Sequence, residues 1–155
     1  MAPAIPAPAR DAAQEADLGQ SFWQRATELG GLDEQQRLAA IEQGWSSSWL
    51  AALRQNLHLK PSELEPLVAL SEATMARRTR EQAALDLVAS ERLDRLMQVV
   101  SQAYGVFEQP GSTEAWLKAP HPLLHQASPL RHCRTAIGAG QVRRLLQALE
   151  QGAPV

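Results

Sequence analysis

The spacing of the apolar residues is the feature that most limits what this chain can fold into. β-Branched and aromatic residues never alternate with polar ones over a useful length, so the pattern of a half-buried strand is missing. Large apolar residues recur instead at helical spacing, as in Leu50, Leu53 and Leu57, which share one face of a helix. The sequence therefore predicts an all-α protein made of short helices.

The composition is that of a chain that can bury a core, since 45% of its 155 residues are hydrophobic. No stretch approaches the roughly 18 consecutive apolar residues of a membrane span. The opening residues, MAPAIPAPAR, lack the basic and then apolar order of a secretory signal. A single cysteine, Cys133, excludes an intrachain disulfide framework and fits a reducing compartment. We therefore expect a cytoplasmic protein that does not contact a membrane.

The net charge of −2 hides an uneven distribution. Residues 1–45 carry three basic and seven acidic side chains, residues 46–82 five and four, and residues 83–155 seven and six. This balance argues against a protein that coats nucleic acid, but it permits a small local patch that contacts phosphate.

Changes in composition and helix-stop residues divide the chain into four segments. The first is rich in alanine and proline without periodicity, which predicts a flexible leader. The second fits two short helices separated by GG and restarted by Asp33, with Leu38 facing inward, and these helices are candidates for dimerisation. The third holds three short helices, and the fourth begins with the longest helix, for which Ser90 is the expected cap. The segments cover residues 1–20, 21–45, 46–88 and 89–155.

The third segment has the pattern of a helix-turn-helix. Ser62 and Ser71 each precede an apolar run and predict helix starts. In the helix after Ser71, Met75 faces inward, whereas the opposite face carries small and basic residues. Such a helix can lie in the major groove of DNA, although a solvated surface helix of a bundle has the same pattern. The candidate DNA-binding residues are Ser71, Ala73, Thr74, Arg77, Arg78 and Arg80.

Motifs that indicate catalysis or metal binding are few. His121 and His125 have helical spacing and His132 adjoins Cys133, but Pro122 breaks the helix that would align the first pair as zinc ligands. No P-loop, GxGxxG or GxSxG motif occurs. We therefore expect no catalytic site, no metal and no cofactor.

Two parts of the chain resemble one protein family. The order AWLKAPHPLL, SPL and RTAIGAGQVRRLLQALEQG is similar to the C-terminal toxin-binding domain of the Xre/MbcA/ParS antitoxins. Upstream, LHLKPSELEPLVALSEATMARR and SERLDRLMQVV resemble the Xre-like helix-turn-helix of the same family. The resemblance runs from roughly Gln43 to Gly152, and it departs from the family at Ala69, which replaces the usual turn glycine.

The resemblance implies a function and a partner. It implies that the chain binds and silences a RES-domain toxin that consumes NAD or transfers ADP-ribose, and that the chain or its complex represses its own operon. One helix-turn-helix reads too few base pairs, so we expect a homodimer within a larger toxin–antitoxin complex. A toxin that binds the diphosphate of NAD should have a basic pocket, which the C-terminal carboxylate or the APHPLL loop could plug. Trp116 is either a core residue or part of this interface. The candidate toxin-binding residues are Trp116, Lys118, His121, Arg131, Arg134, Arg144 and Val155. The alternative function is a plain helix-turn-helix transcription regulator whose C-terminal helices serve oligomerisation or effector binding.

Overall fold

The computed structural model describes residues 15–154, with side chains from Phe22 onward. Within this range every regular element is a helix, apart from an isolated bridge between Ser46 and Ala84, so the predicted all-α fold is confirmed. The α-helices are α1 (Glu15–Gly30), α2 (Glu34–Gln43), α3 (Ser48–Leu57), α4 (Pro61–Val68), α5 (Glu72–Glu81), α6 (Leu87–Phe107), α7 (Pro110–Lys118), α8 (Pro129–His132) and α9 (Ala136–Glu150). A 3₁₀ turn spans Pro122–Leu124.

Most of the expected leader lies outside the described residues, but α1 begins at Glu15, within its last part. None of the helices in the described part of the chain is long and apolar enough to cross a membrane.

Several helix starts follow from a capping side chain that the sequence makes visible. Asp33 accepts a hydrogen bond from the Gln36 amide, and the Gln36 side chain accepts one from the Asp33 amide in return. Ser71 caps α5 by accepting from the Thr74 amide, and Ser128 caps α8 in the same way. These three predicted starts are confirmed.

Other helix starts differ from the prediction. α6 is capped by Asp86, which accepts from the Ala89 amide, so the helix begins one turn before Ser90. Ser90 is fully buried instead, where its hydroxyl accepts from the Trp45 amide and donates to the Leu85 carbonyl. α4 begins at Pro61 rather than after Ser62, because the fixed φ of proline suits the first helical position.

The core is built around α6, against which α1, α2, α4, α7 and α9 all pack. Leu93, Leu96 and Met97 of this helix are almost completely buried. α1 contributes Trp23, which stacks on Tyr104 of α6 with ring centroids 4.9 Å apart. The N-terminal helices are thus part of the same core as the helices that follow them.

The orientation of α2 differs from the prediction at Leu38. This side chain is 52% exposed, although the apolar pattern places it inward. Arg37 faces α6 instead, where its guanidinium lies 2.7 Å from the buried Asp94 carboxylate. A buried carboxylate without a partner is costly, so this ion pair opposes a rotation of α2 that would bury Leu38.

Candidate functional site

The helix-turn-helix consists of α4, a tight turn and α5. The turn begins at Ala69, whose φ of +56° lies in the left-handed region and whose amide donates to the Glu65 carbonyl. Leu64, Leu67 and Val68 hold α4 in the core, and Met75 does the same for α5. The turn therefore forms with alanine at the glycine position of the family pattern.

A second contact fixes the far end of α5. The Ser47 hydroxyl, just before α3, donates to the Arg78 carbonyl over 3.0 Å. Because α5 is anchored at Met75 and at Arg78, its opposite face is directed away from the core.

That outward face carries three of the predicted DNA-binding residues. Ala73, Arg77 and Arg80 are exposed, while Thr74 and Arg78 are partly exposed. The Ser71 hydroxyl caps the helix and also donates to the Thr74 hydroxyl over 2.8 Å. Neither Arg77 nor Arg80 forms a salt bridge with another residue that the structure describes, so both guanidinium groups are available to an anionic ligand.

The second candidate surface lies where α8 meets α9. Thr135 caps α9 by accepting a hydrogen bond from the Gly138 amide over 2.9 Å. A Cβ at Gly138 would collide with the carbonyl oxygen of His132 at the end of α8. The TAIG sequence therefore suits this corner for two reasons. Thr135 caps the start of α9, and Gly138, which has no Cβ, lets α9 approach α8 closely.

A shallow cleft of about 240 Å³ opens at this corner. Arg131 and Arg134 line it with exposed side chains, and His132 and Gln141, which also line it, are hydrogen bonded to each other. Ile137 also lines the cleft and is 78% exposed, the most exposed large apolar side chain among the described residues. The complete lining is Ala127, Arg131, His132, Arg134, Thr135, Ile137, Gly138 and Gln141.

The structure brings Arg131 and Arg134 together but places the other predicted toxin-binding residues elsewhere. The Lys118 ammonium donates to the carbonyls of Leu57 and His58, at 3.0 and 3.1 Å, and so caps the C-terminal end of α3. Arg144 is exposed on α9 but does not line the cleft. Val155 lies outside the described residues.

Trp116 and His121 lie next to each other. Trp116 is half-buried against Phe107, with ring centroids 5.5 Å apart, and its other neighbour is the His121 ring. The Nδ1 atom of His121 accepts from the Leu123 amide and caps the 3₁₀ turn. Both side chains thus have a role within the fold.

Sequence reasoning missed two exposed apolar residues on this side of the molecule, Ile137 and Leu123, of which Leu123 is 63% exposed. A signal for Ile137 was present, because it lies off the helical stripe formed by Val142 and Leu146. Leu123 lies in the 3₁₀ turn, where no periodicity could have identified it.

His125 and Cys133, which were considered as metal ligands, lie at the C-terminal ends of the 3₁₀ turn and of α8. His125 adopts a left-handed conformation after the 3₁₀ turn, and the Cys133 thiol donates to the Pro129 carbonyl. Burial raises the pKa of Cys133 from 9.0 to about 12, against a smaller opposing effect of the Arg95 charge. The part of the chain that the structure describes contains no group of three or more His, Cys, Asp or Glu residues arranged to hold a metal.

Comparison with known proteins gives two family matches in succession along the chain. The Antitoxin Xre-like helix-turn-helix domain matches residues 36–98, and the Antitoxin Xre/MbcA/ParS C-terminal toxin-binding domain matches residues 102–152. Antitoxin Xre of Pseudomonas putida is 27% identical over 112 residues, which cover 72% of this chain and 69% of that relative. The Prs ADP-ribosylating antitoxin of Sphingobium sp. strain YBL2 is 26% identical over 126 residues, which cover 76% of this chain and 79% of that relative.

The two matched domains occur in the same order as the two candidate surfaces. α3, α4 and α5 lie within the first match, and the cleft at α8 and α9 lies within the second. A toxin-binding C-terminal domain implies a cognate toxin as partner, which favours this function over that of a plain transcription regulator. The chain belongs to the Xre/MbcA/ParS family of antitoxins.

Proposed function

We propose that this antitoxin neutralises a RES-domain toxin that degrades NAD or transfers ADP-ribose, by covering the active site of the toxin. The match of residues 102–152 to a toxin-binding domain carries the proposal, and the name of the Prs relative supports the ADP-ribosylating class. Inhibition of this kind takes place by binding in the cytoplasm and requires no metal, cofactor or catalytic step from the antitoxin.

Co-expression tests this proposal. The reading frame adjacent to this gene is induced in a bacterial host alone and then together with the antitoxin, while growth and cellular NAD are followed. We expect growth arrest with NAD loss or protein ADP-ribosylation from the neighbour alone, and rescue by the antitoxin. A neighbour that is harmless by itself, or an arrest that the antitoxin does not relieve, contradicts the proposal.

We also propose that α5 binds operator DNA and that the antitoxin thereby represses its own operon. The exposed guanidinium groups of Arg77 and Arg80 support this, since arginine can contact both phosphate and guanine edges. One helix-turn-helix reads few base pairs, so the DNA-binding unit in this proposal is a dimer, for which the segment 21–45 remains the candidate contact.

Substitution of the two arginines tests the DNA contact. We expect Arg77→Ala and Arg80→Ala each to weaken binding to the promoter fragment about tenfold and to lower the salt dependence by roughly one phosphate contact. Arg54→Ala on α3 is the matched control, because Arg54 is also an exposed arginine. If all three variants bind equally strongly across a salt titration, α5 does not contact the DNA.

A further inference from the structure

We infer that the cleft at the α8–α9 corner, which Arg131, Arg134 and Ile137 line, docks an acidic segment of the toxin that carries an apolar side chain. This inference rests on the proposed function and specifies the contact surface and the chemistry of the partner segment.

The charge of the C-terminal part indicates an acidic partner. No aspartate or glutamate lies between Glu114 and Glu150, although the whole chain has a net charge of −2. The basic residues of this stretch are Lys118, Arg131, Arg134, Arg143 and Arg144. Lys118 is already engaged by α3, and Arg143 contacts Gln102, so Arg131 and Arg134 are the exposed charges that border the cleft. A surface of one sign attracts and orients a partner of the opposite sign.

The exposed apolar side chain in the lining favours a protein partner over nucleic acid. Ile137 is 78% exposed and lines the same cleft as Arg131 and Arg134, and a large apolar side chain offers no hydrogen bond to a phosphate. Protein interfaces commonly have an apolar residue at the centre and charged residues at the rim. Leu123, which is 63% exposed, lies on the adjoining loop. A hydrogen bond from the His121 amide to the Ala127 carbonyl closes this loop.

The cleft is also held in shape before any partner binds. Thr135 caps α9, Ser128 caps α8, and Gly138 lets the two helices approach closely. A surface that needs little ordering on binding loses less entropy when it docks. The positive end of the α9 dipole lies beside Ile137 and adds to the attraction for carboxylates.

Binding of the purified toxin to full-length antitoxin variants tests the inference. We expect Ile137→Asp and the double variant Arg131→Glu, Arg134→Glu each to raise the Kd at least about tenfold. Ile137 lies in the first turn of α9, where an acidic residue suits the helix dipole, so the aspartate should not unfold the helix. Thermal melting of each variant checks this.

Matched controls come from the helix-turn-helix side. Leu87→Asp changes an apolar residue that is 60% exposed at the first position of α6, and Arg54→Glu with Lys60→Glu reverses two exposed charges. We expect both controls to bind the toxin within about twofold of the unchanged chain, as for surface positions outside an interface. Raising the salt concentration should weaken the unchanged chain more than an Arg131→Gln, Arg134→Gln variant.

The outcomes separate the two proposals. If the unchanged antitoxin does not bind the toxin at all, the proposed function fails. If it binds and the cleft variants bind as tightly as the controls, the docking inference alone is overturned. If the arginine variants lose affinity for duplex DNA while they keep their affinity for the toxin, the surface belongs to a nucleic-acid contact and the inference is likewise overturned.

Discussion

Ala69 adopts the left-handed conformation that glycine adopts at least cost. Its φ of +56° at the end of α4 sets the turn into α5, and the Ala69 amide bonds to the Glu65 carbonyl there. A non-glycine residue in this region is strained by about 1–2 kcal/mol, because the Cβ crowds the following carbonyl. The turn thus retains its geometry and carries backbone strain at Ala69.

Replacing Ala69 with glycine should therefore stabilise the protein. The relief of strain exceeds the larger entropy loss of glycine on folding, so we expect Ala69→Gly to raise the free energy of unfolding by about 0.5–1 kcal/mol. Urea denaturation followed by circular dichroism measures the change. Ala76→Gly is the control, since Ala76 is exposed within α5 and the same substitution should lower stability there by about 0.5–1 kcal/mol. Two decreases of equal size would show that Ala69 is not strained.

Some helix ends are fixed by side chains nearby in the sequence, and others by side chains far along the chain. Asp33, Ser71 and Ser128 each act on an amide three residues away, so the sequence predicts these starts correctly. The C-terminal end of α3 depends on Lys118, which lies far along the chain. Glu114 holds this ammonium at 3.3 Å and also contacts the His58 ring, so the cap joins α3 to α7.

Lys118→Met should weaken this junction while it keeps the length of the side chain. Two carbonyls lose a charged donor, so we expect a loss of about 1–2 kcal/mol in the free energy of unfolding. Lys60→Met is the control, because Lys60 is an exposed lysine that makes no capping hydrogen bond through its side chain. Denaturation measures stability, and toxin titration at a temperature where both variants are folded measures binding. A loss of toxin affinity without a loss of stability would assign Lys118 to the interface that the sequence predicts.

At the scale of the whole molecule, α6 connects the two family domains. The helix-turn-helix match ends at residue 98 and the toxin-binding match begins at residue 102, both within Leu87–Phe107. α4 belongs to the helix-turn-helix match and α9 to the toxin-binding match, and both helices pack against α6. The predicted boundary between residues 88 and 89 thus lies at the start of α6, and we expect the two domains to unfold together.

Truncation of a buried residue in α9 tests this cooperativity. Leu146 is fully buried, so Leu146→Ala should cost about 2–5 kcal/mol. In a Trp116→Phe background the remaining tryptophans, Trp23, Trp45 and Trp49, all precede the toxin-binding match, so that fluorescence reports on the other part of the molecule. We expect fluorescence and circular dichroism to give the same lowered urea midpoint. Leu87→Ala, at a position that is 60% exposed, should leave the urea midpoint nearly unchanged. A fluorescence midpoint that does not move would mean that the domains unfold separately.

Features that depend on residues close together in the chain could be predicted from the sequence alone. Helical spacing of apolar side chains indicated an all-α fold, capping residues marked several helix starts, and the outward position of Arg77 and Arg80 followed from their spacing to Met75. The order of short motifs also identified the antitoxin family, because motifs in sequence require no knowledge of distances.

Features that depend on residues far apart in the chain became visible only once the helices were packed together. The buried Asp94 orients α2 through Arg37 and leaves Leu38 exposed, and Lys118 caps a helix some sixty positions earlier. The cleft likewise lies where Gly138 lets α9 approach α8, and the exposed Ile137 lines it together with Arg131 and Arg134. Each of these contacts depends on how whole helices pack, and the spacing of residues within one helix contains no information about that packing.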